Sequence, residues 1–356
     1  MAKRTTISVG CCWLSPPNLL WSPKWYIFTV RGAESAHIYL WVLKDLAWGC
    51  DWYYPGFAFA ISACIWSLAL LVRSAYWRNF KEIWTGTAQL GWLVGNTLWM
   101  TGELHDSEFP NDTPVYDLRM EQGGIVLKAS LVWLAVYYLF VKPFGPVLWP
   151  WLQPSLESEQ EYDDTGLESH YKILGFKTWR ELEHLHLFLW LAKDTFWNAM
   201  FMPMWILFAI PTVLLALDFC RVTFWVNGMC IENAHMITQL IWVTANLVWG
   251  AGEIWHIDDD LASPLLSPIP VPGGGVTMRW VSVLLLFIAF LPIIALHTHW
   301  LLCTYNRLVY MDGNDNGNAG GMNGKYSSVG TESTGSATVN PLLEMELHSW
   351  CDETKE

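Results

Sequence analysis

The chain has 356 residues, of which 53% are hydrophobic and 15% charged, and its formal net charge is −13. A soluble domain usually carries about 25% charged residues, so the composition argues against a soluble protein. The eight cysteines are scattered without zinc-like spacing, and neither a phosphate-binding loop nor a Gly-x-Ser-x-Gly motif occurs. We therefore expect no cofactor and no bound nucleic acid.

Long apolar runs recur along the chain, close to the roughly 20 residues that a bilayer-crossing helix needs. Because these runs do not alternate with polar residues, they predict an all-α polytopic membrane protein and not a β-barrel. We predict about eight transmembrane helices, near residues 35–52, 54–73, 84–104, 125–143, 185–202, 203–222, 234–254 and 280–303.

The segments around these spans differ in charge. With a cytoplasmic N-terminus, most of the 20 Lys and Arg residues fall on the cytoplasmic side, and only Arg119, Lys128 and Arg279 fall on the other. Cytoplasmic loops are enriched in basic residues, so we predict that both termini are cytoplasmic. The predicted parts are a cytoplasmic N-terminal segment 1–34, a four-helix repeat 35–143, an acidic cytoplasmic linker 144–184, a second four-helix repeat 185–304 and a disordered cytoplasmic tail 305–356.

An internal duplication is visible in the sequence. The stretch "HIYLWVLKDLAW" begins at His37, and "HLFLWLAKDTFW" begins 149 residues later at His186. In the same way, "QLGWLVGNTLWMTGE" from Gln89 matches "QLIWVTANLVWGAGE" from Gln239. Because each repeat holds an even number of spans, both copies point the same way. The sequence thus predicts two parallel four-helix repeats with a pseudo-two-fold axis along the membrane normal.

The repeated residues fall on helical stripes. Steps of three and four residues place side chains on one helix face, and polar faces in a bilayer should meet inside the bundle or line a cavity. The polar members, which we predict to form a substrate or ion path, are Lys44, Asp45, Gln89, Asn96, Glu103, Lys193, Asp194, Gln239, Asn246 and Glu253. The aromatic members, predicted to line that path, are Trp41, Trp48, Trp92, Trp99, Trp190, Trp197, Trp242 and Trp249.

The two Lys-Asp pairs require partners inside a membrane. A mid-span lysine costs about 3 kcal/mol on insertion scales unless it is paired. Candidate partners are the adjacent Asp45 and Asp194, or Glu and Asn of the neighbouring stripe. Because Asp45 lies about 100° around the helix from Lys44, the two need not pair, and we favour an inter-helical network of Lys, Asp, Gln and Asn in each half. The tryptophans beside this network can bind a cation through a ring face, or pack a core while each indole N–H finds an acceptor.

Acidic residues collect at the non-cytoplasmic ends of two spans. Glu103 and Glu253 end their stripes, and the loops that follow are rich in aspartate. This pattern predicts an acidic outer vestibule that concentrates cations, although acidic loops also serve only to solvate a surface. Four histidines near the span ends are weak candidates for metal or haem ligands, with hydrogen-bonded interfacial histidines as the alternative: His37, His186, His105 and His256.

Three functions fit this pattern. The first is a transporter or channel for a small cation or a proton-coupled solute. The second is a membrane enzyme that acts on a lipid or isoprenoid in a tryptophan-lined pocket, where a carboxyl donates a proton. The step from Asn96 to Trp99 with a nearby Glu is similar to one in the fungal membrane terpene cyclases, although the Glu stands in a different register. The third is a non-transporting sensor or assembly subunit.

Overall fold

The computed structural model describes residues 30–109, 113–144, 178–225, 230–257 and 277–298, and in these ranges the chain is helical. A π-helical turn, Tyr137–Val141, extends the fourth helix. The predicted all-α class is thereby confirmed, whereas most of the predicted N-terminal segment and linker and the whole predicted tail lie outside the described residues. The helices are α1 (Val30–Gly49), α2 (Tyr53–Tyr76), α3 (Phe80–Glu108), α4 (Thr113–Val136), α5 (Trp179–Asn198), α6 (Met202–Trp225), α7 (Cys230–Ile254) and α8 (Met278–Ala289).

Four helices, α2, α4, α6 and α8, are named here the outer helices. They lie in segments long and apolar enough to cross a membrane, and their exposed faces carry large apolar side chains such as Ile65, Val132 and Leu207. Soluble proteins rarely leave apolar surface of this extent to water, so the protein is membrane-embedded. The four segments are Tyr53–Tyr76, Val115–Phe144, Met202–Phe224 and Met278–Thr298.

The remaining helices, α1, α3, α5 and α7, carry the polar stripes and are named here the inner helices. They run parallel because an outer helix follows each of them and returns the chain. Gln89 on α3 lies within 3.4 Å of His37 on α1, near the start of both helices. Trp48 on α1 donates a hydrogen bond to Glu103 on α3 at 2.8 Å, near the end of both helices. The near end is where the inner helices begin, and the far end is where they finish.

Local sequence signals set the helix boundaries. Asn79, Thr178 and Thr277 precede α3, α5 and α8, and each side chain accepts a hydrogen bond from a backbone N–H in the first turn. Such caps satisfy donors that have no partner within the helix. The turns after α1 and α5 each place one residue in the left-handed region, Asp51 with φ 56° and Met200 with φ 50°. These two residues are 149 positions apart, the offset of the repeated stretch.

Helices α3 and α4 approach so closely that glycine is required. A Cβ at Gly95 would lie 2.8 Å from Cγ of Leu127, and one at Gly123 would lie 2.9 Å from the carbonyl oxygen of Gly95. Small residues allow helix backbones to approach in this way in membranes. The contact fixes the inner helix α3 against an outer helix and so positions its polar stripe.

Candidate functional site

A layer of four indoles, one from each inner helix, fills the centre of the bundle. All six ring pairs lie in contact, with centroid separations from 5.1 to 6.4 Å. Edge-to-face and tilted arrangements at these distances are favourable for aromatic rings. This near tryptophan layer, which closes the space between the inner helices at its level, consists of Trp41, Trp92, Trp190 and Trp242.

The first Lys-Asp pair lies one helical turn beyond this layer. Lys44 donates to its neighbour Asp45, and both side chains are buried. The other carboxylate oxygen of Asp45 accepts from Trp242 at 2.7 Å and from Asn246 at 3.0 Å, both on α7. The Lys44 ammonium also lies 5.1 Å from the centroid of the Trp48 ring. Of the candidate partners, the adjacent aspartate is the one that Lys44 contacts, and the favoured inter-helical partner is not.

The second pair has the same contacts in the other half. Lys193 donates to Asp194, and its ammonium lies 5.2 Å from the centroid of the Trp197 ring. The other oxygen of Asp194 accepts from Trp92 at 2.7 Å and lies 3.5 Å from the amide of Asn96. Each aspartate thus binds side chains of the other half of the chain. The aspartates, and not the lysines, carry the inter-helical connections.

A second layer of indoles lies between the Lys-Asp pairs and the far end. Neighbouring rings in this far tryptophan layer have centroids 5.1 to 5.9 Å apart. The contacts form a closed ring in which the two residues of the first half are neighbours and the two of the second half are neighbours. The members of the far tryptophan layer are Trp48, Trp99, Trp197 and Trp249.

Two carboxylates lie directly beyond the far tryptophan layer. Glu103 accepts hydrogen bonds from Trp48 at 2.8 Å and from Trp99 at 2.6 Å. Glu253 accepts from the two corresponding indoles, with 2.8 Å for the contact to Trp197. Indole N–H groups only donate, so both carboxylates act as acceptors here. Each carboxylate oxygen keeps a second lone pair that can bind a proton or a cation.

Arg279 places a positive charge beside these carboxylates. Its guanidinium donates to Asp51 at 2.8 Å and lies 4.8 Å from the ring centroid of Trp249. The charges of Glu103, Glu253 and Arg279 lie close enough to act on one another. The far end therefore gathers two half-buried acids and one arginine.

Histidines occupy the level between the near tryptophan layer and the near end. His37 donates from Nε2 to the carbonyl oxygen of Ala63 at 2.7 Å, and its Nδ1 lies 3.4 Å from the amide nitrogen of Gln89. His186 makes the same contacts, with a carbonyl of α6 at 2.9 Å and with Gln239 at 3.2 Å. The two glutamines thus contact histidines and not the Lys-Asp pairs.

The other two candidate histidines lie at the far end, His105 in the last turn of α3 and His256 just after α7. The ring of His105 packs against Phe109 at 4.9 Å between centroids. His256 follows α7 in a left-handed conformation with φ 55°. Among the described residues, no group of three or more His, Cys, Asp or Glu side chains is placed to hold a metal ion.

A cluster at the near end joins three inner helices. Arg180 on α5 binds Glu34 on α1 and Glu82 on α3 at 2.7 Å each, and Glu183 at 3.2 Å. His184 lies 3.1 Å from Glu82. Burial alone would raise the pKa of Glu82, but the charges and hydrogen bonds of Arg180 and His184 hold it well below its usual range. Glu82 is therefore ionised at neutral pH.

The sequence prediction missed this cluster, although the signal is present. Glu82 lies seven residues before Gln89 and extends the α3 stripe toward the near end, as Glu232 does in the second half. Arg180 matches Arg31 in the first half, 149 residues earlier, which is the offset of the duplication. Extending the comparison of the two halves by two helical turns finds these residues.

The near end differs between the two halves in other residues. The hydroxyl of Tyr39 and Nε2 of His235 lie 2.6 Å apart, and their rings stack at 5.6 Å. The positions that match them in the duplication are Phe188 and Thr85. This contact between α1 and α7 therefore has no chemical equivalent at the matching positions.

Polar side chains follow one another along α3 at a regular distance. Its stripe places Glu82, Gln89, Asn96 and Glu103 at steps of seven residues, about 10 Å each along a helix. The 21 residues between the two glutamates span about 31 Å, close to the thickness of a bilayer's hydrocarbon core.

No protein-family model, curated protein or solved structure matches the chain.

Proposed function

We propose that the protein transports a small cation, or a solute coupled to protons, across the membrane through the space between its inner helices. The observation that carries the proposal is the series of ionisable levels along those helices. It runs from the near-end cluster through the histidines and Lys-Asp pairs to Glu103 and Glu253, over about the thickness of a bilayer core. Ionisable groups inside a membrane commonly mark ion pathways and proton relays.

Burial of so many charges favours transport over a purely structural core. A buried ion pair seldom adds net stability compared with apolar residues of the same size. The two Lys-Asp pairs and the two far-end glutamates therefore cost stability that an apolar core would not lose. Their occurrence in both halves supports a shared role in function.

The two tryptophan layers favour protons as the coupling ion. The indoles of the near layer contact one another across the bundle, at 5.8 Å between the Trp41 and Trp190 centroids. A hydrated cation needs these rings to move apart, whereas a proton needs only short transfers between fixed groups. In this proposal the near layer is the barrier, and Glu103 with Glu253 is the proton or cation site on one side of it.

The proposal includes a specific topology. All eight helices span the membrane, and the two four-helix halves are related by a pseudo-two-fold axis along its normal. The near end faces the cytoplasm, as the distribution of basic residues favours, and the far end faces outward. Matching acids in both halves favour this arrangement over an enzyme, since a single active site usually loses the symmetry between repeats.

Transport can be tested with purified protein in liposomes that contain a pH-sensitive dye. After a pH or cation gradient is imposed, the wild type should collapse the gradient faster than protein-free liposomes. The double variant Glu103→Gln with Glu253→Gln should reduce the rate by about tenfold or more, because both intramembrane carboxylates are removed.

Glu108→Gln is the matched control, since Glu108 is an exposed acid near the end of the same helix α3. It should transport at the wild-type rate. Wild-type protein with no flux for protons or for any of Na⁺, K⁺ and NH₄⁺ would contradict the proposal. So would a folded double variant with unchanged flux.

A further inference from the structure

A groove on the outer surface of α3 and α4 lies apart from the central network. Its volume is about 550 Å³, and its lining is apolar apart from the tip of one lysine. Ligand sites commonly have volumes of about 300 to 1,000 Å³, so the groove has the size of a site for one ligand. The lining residues are Trp84, Lys128, Ala129, Val132, Trp133 and Val136.

Two stacked indoles form a rigid wall of the groove. The rings of Trp84 and Trp133 lie 4.0 Å apart between centroids and within 11° of parallel. Each indole N–H donates to the backbone carbonyl of the other residue, at 3.0 and 3.1 Å. Because these donors are satisfied, the rings present an apolar surface to whatever occupies the groove.

Lys128 is the unusual member of the lining. It is exposed and lies near the middle of the apolar segment Val115–Phe144, and not beyond the end of a span, where the loop-charge prediction counted it. In the described part of the chain it forms no ion pair and no side-chain hydrogen bond. A lysine at such a depth costs about 3 kcal/mol unless it reaches the interface or meets an anion. An anion from outside the chain would remove that cost.

We propose that this groove binds a long-chain fatty acid, with its carboxylate on Lys128 and its acyl chain against Val132, Trp133 and Val136. A carboxylic acid enters hydrocarbon in its neutral form, since an isolated buried charge neutralises. Its proton then passes to the amine of Lys128, which gives a paired carboxylate and ammonium. A phospholipid phosphate stays at the interface, roughly 15 Å from the bilayer centre. A phospholipid also brings two chains to a groove of single-ligand size.

A second copy of the chain is a poorer partner for Lys128. In the described parts of α2 and α8 there is no acidic residue. On α6, Asp218 is already bound by Arg221 at 2.7 Å. The acids of α4 itself lie in its first turns, at Asp117 and Glu121. These helices therefore offer Lys128 no unpaired carboxylate at its own depth.

The test is photolabelling of the purified full-length protein in lipid nanodiscs with a diazirine-bearing palmitic acid. Labelled peptides should come from the α3 and α4 groove, and palmitic acid should compete whereas hexadecanol should not. Lys128→Met should reduce labelling by about tenfold or more, because the carboxylate loses its counter-charge. Lys128→Arg should stay within about twofold of the wild type.

Ala129→Phe gives a second, independent variant, because its ring fills the groove and leaves the lysine in place. It should lower labelling as Lys128→Met does, whereas the exposed Ala58→Phe on α2 should not. If Lys128→Met fails to fold, Ala129→Phe and the hexadecanol competition decide the question. Equal labelling in the folded variants, competition by hexadecanol, or a phospholipid or second copy retained in the groove would overturn the proposal. The assay contains no transport step, so its failure leaves the flux result unaffected.

Discussion

The far part and the near end of the inner helices differ in how closely the two halves of the chain match. In the far part, the hydrogen bonds of Asp45 and Glu103 recur at Asp194 and Glu253, and the indole contacts to Asp45 and Asp194 are both 2.7 Å. At the near end, Arg180 and Glu82 have matching residues in the other half, but Tyr39 is replaced there by Phe188.

This difference separates two kinds of chemistry. Contacts that recur lie where an ion would have to pass in both halves, around the Lys-Asp pairs and far-end glutamates. The contact whose matching positions hold different residues joins α1 to α7, through Tyr39 and His235. We infer that the far part conducts, and that the near end holds the inner helices together in a way specific to each side.

The largest effect should come from removing one aspartate of a Lys-Asp pair. Asp45→Asn leaves Lys44 buried without a counter-charge, and loss of one partner of a buried pair costs about 3 to 5 kcal/mol. Asp194→Asn should cost the same within about 0.5 kcal/mol if the two pairs are equivalent. Denaturant titration of the purified protein in micelles measures both losses.

Asp218→Asn is the control for this pair of variants. Its partner Arg221 is 66% exposed, and such surface pairs contribute about 0 to 1 kcal/mol. A loss at Asp45 no greater than the loss at Asp218, or clearly unequal losses at Asp45 and Asp194, would contradict the equivalence of the far part.

A smaller loss is expected at the near-end cluster. Arg180→Met leaves Glu34, Glu82 and Glu183 without their shared guanidinium, at a cost of about 2 to 3 kcal/mol. Arg180→Lys should recover only part of this, because an ammonium cannot bind several carboxylates as a guanidinium fork does. Thermal unfolding compares the variants, with the exposed Arg221→Met as the control.

The pH dependence of that loss follows from Glu82. Because its pKa is lowered in the folded protein, its stabilising contribution is complete above its ordinary value near 4.5 and is lost as the pH falls through the folded value. The gap in stability between wild type and Arg180→Met should therefore narrow in acid below about pH 4.5. A difference in stability that grows in acid would contradict the claim that ionised Glu82 stabilises the cluster.

A substitution at the α3–α4 contact should disturb the first half alone. A Cβ at Gly123 would lie 2.9 Å from the Gly95 oxygen and 3.0 Å from the Trp99 nitrogen. Gly123→Ala should therefore cost about 1 to 3 kcal/mol. Gly86→Ala meets only Leu71, at 3.4 Å, and should be neutral or stabilising by up to about 1 kcal/mol. Similar unfolding midpoints for the two variants would argue against tight α3–α4 packing.

The smallest effect is expected where the halves already differ. Tyr39→Phe removes the hydroxyl that contacts His235 and should cost about 1 kcal/mol or less. The flux should not change, because the matching residue Phe188 has no hydroxyl. Tyr54→Phe, at a tyrosine that is 71% exposed, is the control. A large loss of flux in Tyr39→Phe would place this contact on the transport path.

Sequence periodicity predicted which residues share a helix face. The steps of three and four between Gln89 and Glu103 placed those side chains on one stripe, and the structure has that stripe buried between the inner helices. The all-helical class and the membrane character are confirmed, because both depend on local composition and spacing. The eight spans and the symmetry axis remain predictions.

Partner choice could not be predicted in the same way. The spacing of a stripe predicts which face of its helix a side chain lies on, but not which helix packs against that face. Asp45 binds Trp242 and Asn246 because the packing of eight helices brings α7 beside α1, a property of the whole arrangement. The spacing also could not show that Lys44 bends back to its neighbour Asp45, because an angle of about 100° on a helix is within reach of a flexible side chain.

The most direct test of the central claim compares the single variants Glu103→Gln and Glu253→Gln in the liposome flux assay. Because the two carboxylates have matched indole donors, each variant should lower the rate by about tenfold, and the two rates should agree. The proposal would be contradicted by wild-type flux in either folded variant.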